Sequence, residues 1–123
     1  MYNISIFDDD ENILELCSFI LEQKGYNVKT FDNCNNIVEV VRSEKPDLIF
    51  MDNWIPEVGG IQATRAIKGE DDLKQIPVIY FSANNDIKLL AEKAGADTYL
   101  PKPFDISDLE SVVENTLKPI AKS

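Results

Sequence analysis

The sequence predicts an α/β domain of five parallel strands with helices on both faces of the sheet. Three observations carry that expectation. Five short apolar runs alternate strictly with five stretches of helical apolar spacing, and such alternation implies right-handed crossovers between parallel strands. The third run, Leu48-Ile49-Phe50-Met51, has no polar interruption and reads as a strand buried on both faces. Charged residues then stand at three strand ends: Asp8 and Asp9, Asp52, and Lys102. In a parallel sheet these ends meet at one edge, the edge where open α/β sheets bind ligands.

The first strand is the apolar run Tyr2-Asn3-Ile4-Ser5-Ile6-Phe7, which leads straight into Asp8-Asp9-Asp10-Glu11. Residues 11–24 follow as a helix with Ile13, Leu14, Leu16, Cys17, Ile20 and Leu21 on its apolar phase, and Gly25 suits the position past its end. Tyr26-Asn27-Val28-Lys29-Thr30-Phe31 alternates as an edge strand should. A helix over about 33–43 turns Ile37, Val40 and Val41 inward, and Pro46 marks entry to the strand that ends on Asp52. Pro56, Gly59 and Gly60 force a loop there.

A third helix over 60–68 buries Ile61, Thr64 and Ile67, and Ile76-Pro77-Val78-Ile79-Tyr80-Phe81 is the fourth strand, running into Ser82-Ala83. Ile87, Leu90, Ala91 and Ala94 mark the fourth helix, closed by Gly95, and Lys88, Leu89 and Glu92 lie off its apolar phase. The fifth strand centres on Thr98-Tyr99-Leu100. Ser107-Asp108-Leu109-Glu110 matches a capping box for the last helix, whose stripe is Leu109, Val112, Val113 and Leu117. Alternation alone leaves strand order open. The edge-like second strand and the apolar first and third favour 2-1-3-4-5, which sets the ends of strands one and three side by side.

With 123 residues, 44% of them hydrophobic, the chain reads as a single domain over 1–123 that buries roughly two-thirds of its unfolded surface. A net charge of −10 argues against nucleic acid or an anionic membrane as a partner and favours a small basic ligand or a divalent cation. Cys17 and Cys34 have no metal-ligand spacing, and no apolar run is long enough to span a bilayer, so a cytoplasmic protein with free thiols is expected.

Three carboxylates at adjacent strand ends, Asp8, Asp9 and Asp52, repel one another unless a cation intervenes. Mg2+ suits them, because it takes oxygen ligands and keeps several waters, and it needs only one or two of the three. Asp52 is then left able to act as a nucleophile. The helix dipole accounts for Asp10 and Glu11 as an acidic first turn, and much less well for Asp8 and Asp9. The Lys102 ammonium, held between Pro101 and Pro103, the Ser82 hydroxyl and the Ala83 amide complete a site for a phosphoryl group held by Mg2+.

On these motifs the chain resembles the response-regulator receiver domains of two-component signalling, over essentially its whole length. The motifs are Phe7-Asp8-Asp9, Asp47 to Asp52 with Pro56 and Gly60, Pro77 to Ala83, and Gly95 to Phe104. The resemblance implies that Asp52 accepts a phosphoryl group from a phosphohistidine, that Asp9 and Asp52 bind Mg2+ with the Trp54 carbonyl, and that Asp8 acts partly through water. Lys102, Ser82 and Ala83 would hold the phosphoryl oxygens, Ser82 and Tyr99 would switch, and the Lys102-Pro103 bond would be cis.

The implied partners are a histidine kinase or histidine phosphotransfer protein, an output protein or domain that the sequence leaves open, and a second copy in a phosphorylation-dependent dimer. Signalling would leave through helix four, strand five and helix five, and the domain would be no enzyme beyond assisting its own phosphotransfer and autodephosphorylation. Asn53 and Trp54 depart from the apolar pair often found after the acceptor. Trp54 is equally suited to shield the phosphoryl group from water or to dock a kinase, while Asn84 can orient a water.

Three rivals fit less well. An FMN module would need a Ser/Thr/Gly-rich phosphate loop where Asp8 to Glu11 stand. A phosphatase resembling the haloacid dehalogenases would place an aspartate where Trp54 is. A receiver-like binding module that is never phosphorylated is the main alternative, and the chemically competent acceptor, metal and switch positions count against it.

Overall fold

The computed structural model describes residues 1–55 and 59–122, with side chains as far as Leu117. Pro56, one of the expected loop residues, lies outside the described residues. The elements are β1 (Asn3–Phe7), α1 (Glu11–Gln23), β2 (Asn27–Phe31), α2 (Ile37–Glu44), β3 (Leu48–Asp52), α3 (Gly60–Lys68), β4 (Val78–Ser82), α4 (Ile87–Ala94), β5 (Thr98–Pro101) and α5 (Ile106–Lys122). All four pairings are parallel, in the order β2-β1-β3-β4-β5.

Every residue of β3 and β4 is buried, while the edge strand β2 is at most half-buried. The period-two alternation of the strands divides the core. Ile4, Ile6, Leu48, Phe50, Ile79 and Phe81 pack beneath α1 and α5, against Leu14, Cys17, Leu21, Leu109 and Val113. Phe7, Ile49, Met51, Val78 and Tyr80 face α2, α3 and α4, against Val41, Ala63, Ile67, Ile87 and Ala91. Each fully buried aliphatic or phenyl side chain contributes roughly 1.5–3 kcal/mol, so the site sits at the end of the most strongly stabilised part of the molecule.

Several local expectations are corrected. Helix α2 starts at Ile37 rather than near 33, because Asn36 takes a left-handed conformation (φ 55°) and the Asn35 amide bonds Asn33 Oδ1 at 3.0 Å. Short amide side chains of this kind compete with helical bonding. The capping box of α5 lies two residues earlier than expected: the Asp108 amide donates to Asp105 Oδ1 at 2.8 Å, and the Asp105 amide approaches Asp108 Oδ2 at 3.4 Å. Leu16 is 46% exposed beside the exposed Phe19, because the buried stripe of α1 runs through Leu14, Cys17, Ile20 and Leu21. Helix α3 buries Ala63 fully and Ile61 only partly. Helix α4 ends as expected at Gly95, whose φ of 83° favours a residue without a Cβ.

Candidate functional site at the carboxyl edge

Pairing of β1 with β3 sets Phe7 against Met51, so Asp8 leaves β1 beside Asp52 at the end of β3. Asp8 is wholly buried, Asp52 nearly so, and Asp9 is exposed. One carboxylate oxygen from each of the three can be chosen so that all lie within 4.8 Å of one another. The Lys102 Nζ reaches in from the end of β5, 2.7 Å from Asp8 Oδ2 and 2.8 Å from Asp52 Oδ1. It also stands 5.4 Å from the centroid of the Phe81 ring, a favourable place for a cation. The Lys102 amide donates to the Ser82 carbonyl at 2.9 Å, and the Lys102–Pro103 peptide is cis.

Backbone amides take the remaining carboxylate oxygens: Asp10 N–H donates to Asp8 Oδ1 at 2.9 Å, and Trp54 N–H to Asp52 Oδ2 at 3.0 Å. Asp10 itself caps α1 by accepting from Asn12 N–H at 2.9 Å. The Ser82 hydroxyl is buried and accepts from Asn84 N–H at 3.0 Å. Helix α3 begins hard against the site. A Cβ on Gly60 would lie 2.1 Å from the Asp52 carbonyl oxygen, so only glycine lets the helix start here.

These groups line a cleft of about 590 Å³ that includes Asp8, Asp9, Asp52, Trp54, Ser82, Ala83, Asn84 and Lys102. A larger hollow of about 680 Å³ lies between α1 and β2, but its carboxylates belong to residues exposed to solvent. The charge arithmetic marks the smaller one as the chemical site. Two buried carboxylates at this spacing oppose each other by roughly 3–4 kcal/mol at an effective dielectric of about 20.

Burial therefore raises the Asp52 pKa above the ordinary carboxylate value, the Lys102 hydrogen bond lowers it, Asp8 raises it further, and the net direction is up. For Lys102 burial works against the charge, yet its bonds to Asp52 and Asp8 prevail and hold its pKa above the usual lysine value. Burial also pushes both thiols up to about 12, which makes Cys17 and Cys34 packing groups rather than nucleophiles.

Three carboxylates against one ammonium leave two negative charges unmatched. A hard divalent cation with oxygen ligands fits that deficit. Each carboxylate has about four lone-pair positions, so Asp8 and Asp52 keep acceptor capacity beyond the bonds described. The donor set is thus competent for Mg2+.

Trp54 borders the cleft and is 81% exposed, and Tyr99 on β5 is 37% exposed. On α4, Lys88, Leu89 and Glu92 are exposed, away from the buried stripe. Residues that the sequence did not single out also enter. Tyr80 is wholly buried, and its hydroxyl donates to Asn53 Oδ1. Burial, with Asp52 nearby, pushes its phenol up to about 12. The available signal was a lone tyrosine in an otherwise apolar buried strand, since a buried phenol needs a polar partner.

A doubly wound sheet with a buried, lysine-bridged acidic pair at its switch point defines a ligand-binding α/β domain. The sequence profile described as "Response regulator receiver domain" matches residues 4–114, and the chain belongs to that family, the receiver domains of two-component signalling. It is 34% identical over 105 residues to the CAI-1 autoinducer sensor kinase/phosphatase CqsS of Vibrio cholerae, covering 83% of this chain and 15% of that one.

The signal receiver domain of a signal transduction histidine kinase from Syntrophus aciditrophicus superposes with a TM-score of 0.90 at 30% identity, covering 100% of this chain and 95% of that one. The receiver domain of a sensor histidine kinase of Pseudomonas aeruginosa, crystallised with a magnesium ion in its active-site cleft, has the same fold. Its TM-score is 0.86 at 24% identity, with 94% of this chain and 97% of that one covered. The chain spans 15% to 51% of the length of the first curated relatives it matches. Among the described residues no helix is long and apolar enough to cross a membrane.

Proposed function

We propose that Asp52 is the phosphoacceptor. A carboxylate oxygen of Asp52 attacks the phosphorus of a phosphohistidine on a histidine kinase or histidine phosphotransfer protein. The phosphorus–nitrogen bond breaks, its electron pair stays on the imidazole, and an acyl phosphate remains on Asp52. The observation that carries this reading is the buried Asp8–Lys102–Asp52 arrangement with its unmatched negative charge at the edge of the sheet.

Asp9, Asp52 and the Trp54 carbonyl would hold Mg2+, with Asp8 acting partly through water, and the cluster of Asp8, Asp9 and Asp52 oxygens within 4.8 Å of one another supports a metal at this place. When bound, the ion supplies the positive charge that lets carboxylates and phosphoryl oxygens share one cleft. Lys102 is poised to trade its carboxylate partners for a phosphoryl oxygen, and the Ser82 hydroxyl and Ala83 amide take up others. Asn84 stands where it can orient the water that later hydrolyses the acyl phosphate. Ser82 moving toward the phosphoryl group would free space for Tyr99 to turn inward, which changes the face of α4, β5 and α5 where Lys88, Leu89 and Glu92 are exposed.

Incubation with acetyl phosphate, read by intact mass, tests the proposal. The chain should gain one phosphoryl group with Mg2+ and none with excess chelator, and Asp52→Asn should abolish labelling while the fold persists. Equal labelling of Asp52→Asn, or labelling that survives the chelator, rejects Asp52 as the Mg2+-dependent acceptor.

A further inference from the structure

Asn53 follows the acceptor directly, and three of its groups are tied down. Its N–H donates to the Phe81 carbonyl at 3.0 Å, its carbonyl accepts from Gly60 N–H at 3.2 Å, and its side-chain Oδ1 accepts from the Tyr80 hydroxyl. Tyr80 stands opposite Met51 in the β3–β4 register, two residues before Ser82, with no exposed surface. Asn53 continues the alternation of Met51, so the amide and the phenol meet on the α2–α4 side of the sheet. The next residue, Trp54, gives its amide to Asp52 Oδ2 at 3.0 Å. Any rotation of Asn53 about its backbone therefore swings that amide away from the carboxylate.

We propose that Tyr80 is a positioning residue for the phosphoacceptor, anchoring Asn53 through its hydroxyl so that the Trp54 amide and carbonyl stay in place beside Asp52. The inference rests on Asp52 being the acceptor, and it adds a polar link between the acceptor loop and the strand that ends on Ser82. A phenol this deeply buried is costly without its partner, which makes the bond obligatory rather than incidental. A phenylalanine at position 80 would fill the same core space without reaching Asn53. The hydroxyl thus has a task beyond packing.

A double-mutant cycle tests the link. Tyr80→Phe and Asn53→Ala should each weaken Mg2+ binding by roughly three- to tenfold, the loss of one buried hydrogen bond. The readout is the fluorescence of Trp54, the single tryptophan. Each should slow acetyl phosphate labelling by a similar factor, and the double variant should be no worse than either single one. A folded Tyr80→Phe with wild-type Mg2+ affinity overturns the proposal, as do losses that add in the double variant.

A Tyr80→Phe, Asn53→Leu pair makes both partners apolar and should regain thermal stability while Mg2+ affinity stays low. Recovery of affinity along with stability would assign the two residues to packing alone and reject positioning. If wild type takes no label while Tyr80→Phe still weakens Mg2+ binding, the acceptor assignment falls and takes the phosphoacceptor-positioning role of Tyr80 with it, leaving Tyr80 as an anchor of the Mg2+-binding groups alone.

Discussion

Each end of the sheet carries a lysine bound to aspartate, and the two ends use the pairing differently. At the amino edge, Lys68 Nζ bonds Asp97 Oδ2 at 2.7 Å and the carbonyls of Ile76 and Lys74 at 2.8 and 3.1 Å, while Asp97 Oδ2 also accepts the Val78 amide at 2.8 Å. Nearby, Arg42 joins α2 to the loop after α3 through Glu70 and Asp72, both at 2.8 Å. These charges are matched or open to water, and Lys68 and Asp97 also fix the backbone groups of Lys74, Ile76 and Val78. At the carboxyl edge, Lys102 faces two buried carboxylates at once. Ion pairs of the first kind hold the frame; the second keeps negative charge out of water at a cost in stability, the usual mark of a site retained for function.

The largest expected break in that contrast is Lys102→Ala. It leaves Asp8 and Asp52 buried without an ammonium, and about 3 kcal/mol of stability should be lost in chelator. Mg2+ should restore most of it, because the same carboxylates then share a cation. Thermal melts with and without Mg2+ read this directly, and a deficit that Mg2+ does not relieve would mean that Lys102 acts by packing.

Asp97→Ala should cost about 2 kcal/mol, since the Val78 amide and Lys68 both lose an acceptor. Acetyl phosphate labelling of the folded protein should be unchanged. Slower labelling would couple the two edges and erase the distinction between them.

Asp52→Asn should raise stability at neutral pH by on the order of 1 kcal/mol. The Asp52 pKa is raised in the fold, so its ionised form is held less well there than in the unfolded chain. Stability is consequently lost as pH climbs from the ordinary carboxylate pKa through the folded one. The advantage of the asparagine variant should grow across that interval and vanish below it. An advantage that instead widened in acid would reverse the sign of the Asp52 contribution.

The smallest effect is expected at Trp54. With its indole in solvent, Trp54→Asn should leave the melting temperature unchanged and alter the phospho-Asp52 half-life by no more than roughly threefold, under 1 kcal/mol of barrier. A tenfold faster loss of phosphate would restore shielding as its role and show that the indole closes over the phosphorylated site.

The two covered faces and the gathering of Asp8, Asp9, Asp52 and Lys102 were legible in the sequence, whereas the strand order was only favoured by the edge-like second strand. Apolar runs and their spacing follow from local periodicity, and a parallel sheet then brings strand ends to one edge. Local polar competition was harder to read. The asparagine cluster before α2 and the Asp105–Asp108 cap were decided by which short side chain won a nearby amide, and several candidates of equal propensity stood side by side.

Tertiary structure alone decided the rest, because it depends on which groups are left facing each other once the layers close. Periodicity cannot show that Lys102 bridges both carboxylates, that Gly60 must lie against the Asp52 carbonyl, or that the Tyr80 phenol finds Asn53. Nor can it show that Leu16 and Trp54 are left exposed. The sequence alone determined which chemistry would meet at the sheet edge, since strand polarity is a property of the backbone. Burial and hydrogen-bond partnering of individual side chains, which set the charge balance of the site, exist only in the packed molecule.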